Sequence, residues 1–401
     1  MVNMKKYMLY LYAFACFFQA QFLTIEIPGF QLSVGRICFI VFFFTMFIGK
    51  LRVPKDYLYR YLGIWFVYQA MNIINGVRFG LGNWVLLTYF IGIYFVLAIT
   101  IKEVISDLKG YKTLLIFLNC GILIQVAIGL FEHFTGIYFW TSSKELFSTV
   151  IYYMNKKFPC AMQENPNDFA FLMLVGIVIS LILINKSKSK FIKGLWIVTI
   201  VCEVYLIYVA ESRGVMLGLI MGAVYVILVN FLNNKQHSKK QVLLVTVAIM
   251  GLLLVGVLNL EKFITELSSH FDFSGGNTTR INLIVKGLES IFETFGFGYA
   301  SYGVAAWHNH YIEILADFGI VIFIMFLRFY YLLFKRLKKV ARNNSELNYV
   351  CLLIRGFLIS LIIAVVSPAS ILRIEWFGAI IATIVAFEHR CLYMESKEMS
   401  N

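Results

Sequence analysis

Proline is scarce in this chain, 5 residues in 401, so long helices can run without a residue that breaks them. Charge is scarce too. Only 14% of residues are charged against 60% hydrophobic, and the mean hydropathy is +0.79. A soluble domain carries about 25% charged residues, so this chain has more apolar surface than a water-facing fold can hide. Short segments of alternating polarity are missing, which argues against a transmembrane β-barrel. Of 7 cysteines, only Cys160 falls in a polar stretch. There is no CxxC pair and no Cys/His spacing of a metal site, so a disulfide framework and a structural zinc are both excluded.

What is present is a series of apolar runs. Lys5 and Lys6 precede the first. No small-x-small cleavage signal follows it, so it reads as an uncleaved span rather than a leader. Taking about 20 apolar residues per crossing, the sequence predicts spans at 7–24, 31–49, 58–75, 83–100, 113–132, 168–185, 194–210, 214–232, 241–260, 311–334, 349–366 and 375–391. Lys and Arg concentrate in alternate connections: 1–6, 50–57, 101–112, 186–193, 233–240, 335–348 and 390–401. By the positive-inside rule these are cytoplasmic, and both termini lie inside. The formal charge of +13 is then a basic rim on anionic lipid and gives no reason to expect nucleic acid. The expected fold is an all-α polytopic membrane protein of about 12 transmembrane helices, one integral membrane domain over residues 1–401.

Two outer connections are long, 133–167 and 261–310. The second contains an amphipathic helix, with Ile281, Ile284, Val285, Leu288 and Ile291 on one face and Asn282, Lys286, Glu289 and Glu293 on another, suited to an outer membrane surface. A Gly-rich turn, 274–277, precedes Arg280 in its first turn. Neither ATP nor a nucleotide sugar is available on that side. Group transfer there needs a donor already activated in the membrane.

The polar residues that lipid does not explain gather on this outer face. Trp307-His308-Asn309-His310-Tyr311-Ile312-Glu313 ends the second long connection. His308 and His310 point to different sides of a helix and have no ligand set beside them, so a metal site is not expected. A neutral imidazole as general base is the better use. Glu211-Ser212-Arg213-Gly214 is pinched between two apolar runs. Its arginine needs a carboxylate such as Glu211, or a phosphate that a guanidinium fork matches. Asn165-Pro166-Asn167-Asp168 caps a span and could also hold sugar hydroxyls. Arg36, inside the second span, either binds substrate or finds an internal partner.

The order of these motifs resembles the superfamily of O-antigen ligases and Wzy-type O-antigen polymerases. Asn165-Pro166-Asn167 stands before a span and Ser212-Arg213-Gly214 between two spans. Arg280 opens an outer helix, and Gly296-x-Gly298 leads to His308-Asn309, which is followed after nine residues by Gly319. The resemblance implies a metal-independent, inverting glycosyltransferase with a GT-C-like fold and no cofactor. Its seat would be a bacterial cytoplasmic membrane, and its donor a glycan on undecaprenyl diphosphate. Arg213 and Arg280 would hold the diphosphate and His308 would activate the acceptor hydroxyl. Arg36, Asn165, Asn167, Glu211, Asn309 and His310 would line the substrate. Implied partners are the lipid-linked donor, the glycan acceptor, membrane lipid and other polysaccharide-assembly proteins. Ile322 stands where the ligase pattern has a small residue or Tyr, which favours a polymerase over a ligase. A lipid-linked glycan flippase would show internal repeats, and none is evident.

Overall fold

The computed structural model describes residues 2–18, 25–27, 30–47, 53–138, 154–163, 165–233, 280–301, 307, 309–366, 372 and 374–398. Almost all of it is helix: α1 (Val2–Ala15), α2 (Val34–Phe47), α3 (Tyr57–Met71), α4 (Ile73–Phe79), α5 (Leu81–Val104), α6 (Leu108–Thr135), α7 (Pro166–Lys186), α8 (Lys190–Val209), α9 (Arg213–Asn233), α10 (Arg280–Glu293), α11 (His310–Asn343), α12 (Ser345–Ala364) and α13 (Glu375–Glu398). Every predicted span except 241–260, which lies outside the described residues, overlaps these helices; 58–75 is broken at Asn72 between α3 and α4, and 7–24 extends past the end of α1 into residues that are not described. Among the described residues, six helices (α5 to α9 and α12) are long and apolar enough to cross a membrane. The chain is a polytopic α-helical membrane protein.

Between α1 and α2 the sequence predicted a connection at 25–30 and a span from 31 onward, but α2 begins only at Val34. A small antiparallel hairpin stands there, β1 (Ile25–Ile27) on β2 (Phe30–Leu32), with Ile27 opposite Phe30. Helix starts follow local chemistry. Asp56, Asp107 and Asn165 each place a side-chain oxygen on the free N–H groups of the helix that follows, α3, α6 and α7, and Pro166 occupies the first turn of α7. Helix α6 ends on Gly136 at φ 72°, the left-handed stop that suits glycine.

The chain divides into two compact units. The first comprises Met1–Glu211, Ala300–Val304 and Ile371–Asn401. In it α5 packs on α13 and α3, α7 on α8, and α1 on α2 and α6. Its polar contacts respect the charge alternation. Lys112 Nζ donates to the carbonyl of Lys186 (3.0 Å), and the ring of His389 faces Asp56 (3.6 Å); all four residues lie in or beside basic connections. The opposite helix ends meet each other instead. Glu132 Oε2 accepts from Cys160 N (2.8 Å) and Ala161 N (2.7 Å), Trp376 Nε1 donates to Gln163 Oε1 (3.1 Å), and Gln69 Nε2 donates to the Ala300 carbonyl (3.1 Å).

The second unit comprises Ser212–Tyr299 and Ala305–Ser370. Helix α9 lies against α12 through glycines one turn apart, Gly218 and Gly222. A Cβ on Gly218 would stand 2.7 Å from the carbonyl oxygen of Ser360, and one on Gly222 would stand 2.7 Å from that of Gly356. Small residues let two backbones approach where lipid supplies no hydrophobic drive for association.

The predicted span 311–334 is not one straight helix. Gly319 breaks α11 with φ 81° and ψ 176°. At about 1.5 Å per residue, positions 310 and 326 of a straight helix would lie roughly 24 Å apart. The rings of His310 and Phe326 are 5.3 Å apart, and those of Tyr311 and Phe326 6.4 Å. A short limb, 310–318, therefore folds back along a long limb, 320–343.

Gly222→Leu puts a branched side chain where the Gly356 carbonyl and the Ser360 side chain stand. Overpacking of this kind costs about 1–3 kcal/mol or more. We expect a lower thermal midpoint in detergent for this variant. Gly82→Leu, where a Cβ meets nothing within 4 Å, leaves the midpoint unchanged.

Candidate functional site

The site is built around the reversal at Gly319. Helix α10 presents small residues, Gly287, Ser290 and Thr294, inward. Ser290 Oγ donates to the Gly287 carbonyl (2.6 Å), and Thr294 Oγ1 accepts from Gly298 N (3.0 Å), which folds the chain tightly after the helix. Phe295, Gly296 and Gly298 take φ values of 53°, 79° and 77°. This turn then lies on the break in α11. Ile320 N donates to the Gly296 carbonyl (3.1 Å) and Tyr299 N to the Ala316 carbonyl (2.8 Å). A Cβ on Gly298 would be 2.5 Å from Gly319 N and 2.7 Å from the Asp317 carbonyl oxygen, and one on Gly319 would collide with the Gly296 carbonyl. Gly296-x-Gly298 and Gly319, separate motifs in the sequence, are thus two sides of one backbone-to-backbone contact.

The short limb carries the polar residues. His310, Glu313 and Asp317 recur at the spacing of one helix face, and all three are buried. His310 Nδ1 lies 3.2 Å from Glu313 Oε2, and His310 N donates to the Val365 carbonyl at the end of α12 (3.1 Å). Asp317 Oδ1 accepts from Trp307 Nε1 (3.2 Å), and the Trp307 ring stacks on Tyr299 at 6.2 Å and 8°. Tyr299 donates its hydroxyl to Glu293 Oε2 (2.6 Å). Burial first, then this carboxylate, pushes the phenol well above its ordinary pKa. It therefore stays a donor at any physiological pH. Asn309 caps the limb, its Oδ1 accepting from Tyr311 N (3.0 Å) and Ile312 N (3.3 Å).

His308 itself lies outside the described residues, as does the turn at 274–277. Its neighbours on both sides are fixed: Trp307 by Asp317 and Tyr299, Asn309 by the helix it caps. Arg280 opens α10, and nothing is described of its side chain. Arg213 is the first residue of α9 and half-buried, following buried Ser212. Arg213, Arg280, Asn309 and His310 all belong to the second unit.

The other predicted positions belong to the first unit. Arg36 has an internal partner: its Nε donates to Glu375 Oε1 at 2.9 Å, with the guanidinium 5.5 Å from the Phe90 ring centre. Asn165 is a helix cap, accepting from Asn167 N (2.9 Å) and Asp168 N (3.0 Å). Glu211 is exposed at φ 52°. Among the described residues, no group of three or more His, Cys, Asp or Glu side chains converges as a metal site would. Sequence reasoning named Trp307, Glu313 and Glu293 within their motifs but gave them no role, and it did not name Asp317 or Tyr299. The 310/313/317 spacing was a readable signal, and the Trp307–Asp317 bond was not.

A helical membrane protein with a buried polar limb between membrane helices defines a class, and comparison with known proteins narrows it. Residues 197–327 match the family described as O-Antigen ligase. That region runs from α8 to the long limb of α11 and includes Arg213, Arg280, His308 and Gly319. The chain is also 25% identical to the teichuronic acid biosynthesis protein TuaE of Bacillus subtilis (strain 168), over 93% of its own length and 82% of that protein's. Both matches support the superfamily of O-antigen ligases and Wzy-type polymerases, the first over residues 197–327 and the second over most of the chain.

Gly319→Ala meets both a left-handed φ and the Gly296 carbonyl. Gly296→Ala meets a left-handed φ with its nearest neighbour 3.5 Å away, the tip of Ile320. Strain alone costs about 1–2 kcal/mol. Gly296→Ala should therefore lower the thermal midpoint by a few degrees and Gly319→Ala by clearly more. Equal shifts would show that the two backbones do not touch.

Proposed function

We propose that this protein is a polysaccharide polymerase. It transfers a glycan from undecaprenyl diphosphate to a hydroxyl of the next lipid-linked repeat, at the outer face of a bacterial cytoplasmic membrane. The observation that carries this reading is the fixing of both neighbours of His308 beside a buried polar limb, within the region matched to the O-antigen ligase family. The relative named for teichuronic acid biosynthesis supports a role in cell-surface glycan assembly. We read a GT-C-like arrangement of twelve spans with both termini inside, which the charge alternation and the like-with-like contacts of helix ends support. The connections 133–167 and 261–310 are then extracytoplasmic within one membrane domain. Other polysaccharide-assembly proteins would act beside it.

The chemistry follows from the leaving group. A diphosphate departs readily once its growing charge is met, so Arg213 and Arg280 serve as cations at its oxygens. His308 takes the proton of the acceptor hydroxyl. The acceptor oxygen forms its bond to C1 as the bond from C1 to the phosphate oxygen breaks on the opposite face, which inverts the centre. No metal or cofactor takes part in this scheme. Arg36, Asn165, Asn167, Glu211, Asn309 and His310 would shape the substrate path. For Arg36 and the two capping asparagines, Asn165 and Asn309, the contacts described above already supply structural roles.

His308→Ala should lower polymer formation about 10²–10⁴-fold, and Arg213→Ala and Arg280→Ala each about 10²–10³-fold, with membrane insertion retained. Full polymer formation by all three variants would remove the mechanism. The glycan profile of a deletion strain separates the readings. Single repeats on the final acceptor indicate a polymerase. Lipid-linked polymer that accumulates indicates a ligase acting on lipid A-core. Single repeats trapped on the cytoplasmic side indicate a flippase.

A further inference from the structure

Helix α10 is inverted relative to a helix on a water-soluble protein. It packs on its own unit through Gly287, Ser290 and Thr294 and turns its large apolar side chains outward. Val285 and Leu288 are exposed, Phe292 is 82% exposed, and in the turn that follows Phe295 is 85% exposed. Asn282, Lys286 and Glu289 are exposed as well. The helix therefore offers an apolar strip and a polar strip side by side.

The apolar strip continues onto α11. The turn at Gly296 is bonded to Ile320, and Ile320, Val321, Ile324 and Leu327 are exposed along the long limb. That limb has a short apolar length. Residues 320–334 are apolar or aromatic apart from Arg328, and Lys335, Arg336, Lys338 and Lys339 follow. At about 1.5 Å per residue this stretch reaches roughly 22 Å, less than the hydrocarbon core of about 30 Å. Arg328 lies about two turns from Lys335, close enough for a long side chain to extend toward the same boundary. With the basic end at one membrane surface, the Gly319 turn cannot rise above the other.

From these lengths and exposures we infer that α10, the turn 295–298 and the Gly319 reversal are embedded at the headgroup–acyl boundary of the outer leaflet. The short limb of α11 is then a re-entrant segment that descends from that boundary into the leaflet. His310 lies beside Phe326, about two turns or 10 Å along the long limb from Gly319. Asn309, which caps the limb, enters the leaflet with it. Burial of the His310, Glu313 and Asp317 side chains is what a re-entrant segment requires, since polar backbone and side chains at membrane depth are tolerated only inside protein or along a cavity. The partner of this surface is lipid. The inference rests on the long limb emerging from the membrane at its basic end and is independent of the catalytic reading.

Two measurements test it. In vesicles containing phospholipids with a diazirine in the acyl chain, illumination of the unmodified protein should leave lipid adducts on the peptide carrying Phe292, Phe295 and Phe297. Their absence would overturn the inference. In intact cells, N282C should react with a membrane-impermeant maleimide at least tenfold faster than F295C, after subtraction of the wild-type signal. Equal rates would mean the hairpin stands in water, and failure of N282C to react from outside would mean that α10 is not at the outer surface. Either result would sink the proposal.

Discussion

The second unit depends on one contact between backbones. Gly319 adopts a φ that only glycine takes at little cost, and its face is closed by the carbonyl of Gly296 and the backbone of Phe297. Without that contact α11 would be a single long helix, and its polar face of His310, Glu313 and Asp317 would lie on a surface that lipid covers. With it, the limb turns back and its three polar side chains are enclosed. A buried carboxylate is tolerable only with hydrogen-bond partners. The structure supplies them locally, from His310 to Glu313 and from Trp307 to Asp317.

The helices were legible in the sequence and this reversal was not. A long apolar run has few alternatives to a helix in a chain with so little proline, and the described helices lie where those runs lie. Apolar periodicity, however, continues on both sides of Gly319, so nothing in the pattern marks a change of direction. A single glycine within a helix is common enough to pass unnoticed. The information sits in three glycines spread over residues 296–319, and only contact reveals it. Hairpin β1–β2 escaped for a different reason: strands of three residues, Ile25–Ile27 and Phe30–Leu32, are too short to show an alternating pattern. Caps were easier, because an Asn-Pro or an Asn before a helix acts on its nearest neighbours. Arg36 shows the opposite limit. Its partner Glu375 is 339 positions away, so the sequence could say only that a partner was needed.

Packing between the membrane helices follows a similar division. Leu, Ile and Phe in the spans announced burial in lipid or protein without saying which. Glycines decided the close approaches, as at Gly218 and Gly222 against α12. Residues with almost no side chain carry the least signal in a hydropathy profile, yet they set where two helices can touch. The helix ends of the first unit that lie away from the basic connections are joined by polar side chains instead, Glu132, Gln163 and Gln69, each reaching a loop or a helix end far along the chain. These bonds hold irregular backbone in place where no helix can satisfy it.

On the proposed reading, the chemistry makes few demands beyond this rigidity. A lipid diphosphate is already a competent leaving group, so most of what a protein can add is charge where the phosphate departs and one base held at the correct angle. Positioning alone is worth a large part of such a barrier when the reacting atoms are held near contact. Both chain neighbours of His308 are anchored through different forces, Trp307 by stacking and an indole bond, Asn309 by two backbone N–H groups. Neither anchor is an ionised pair that salt could screen, and the Trp307 anchor traces back through Tyr299 and Asp317 to the glycine contact at Gly319. On the proposed reading, a base between two such anchors has the backbone on either side of it set by packing and capping before substrate arrives.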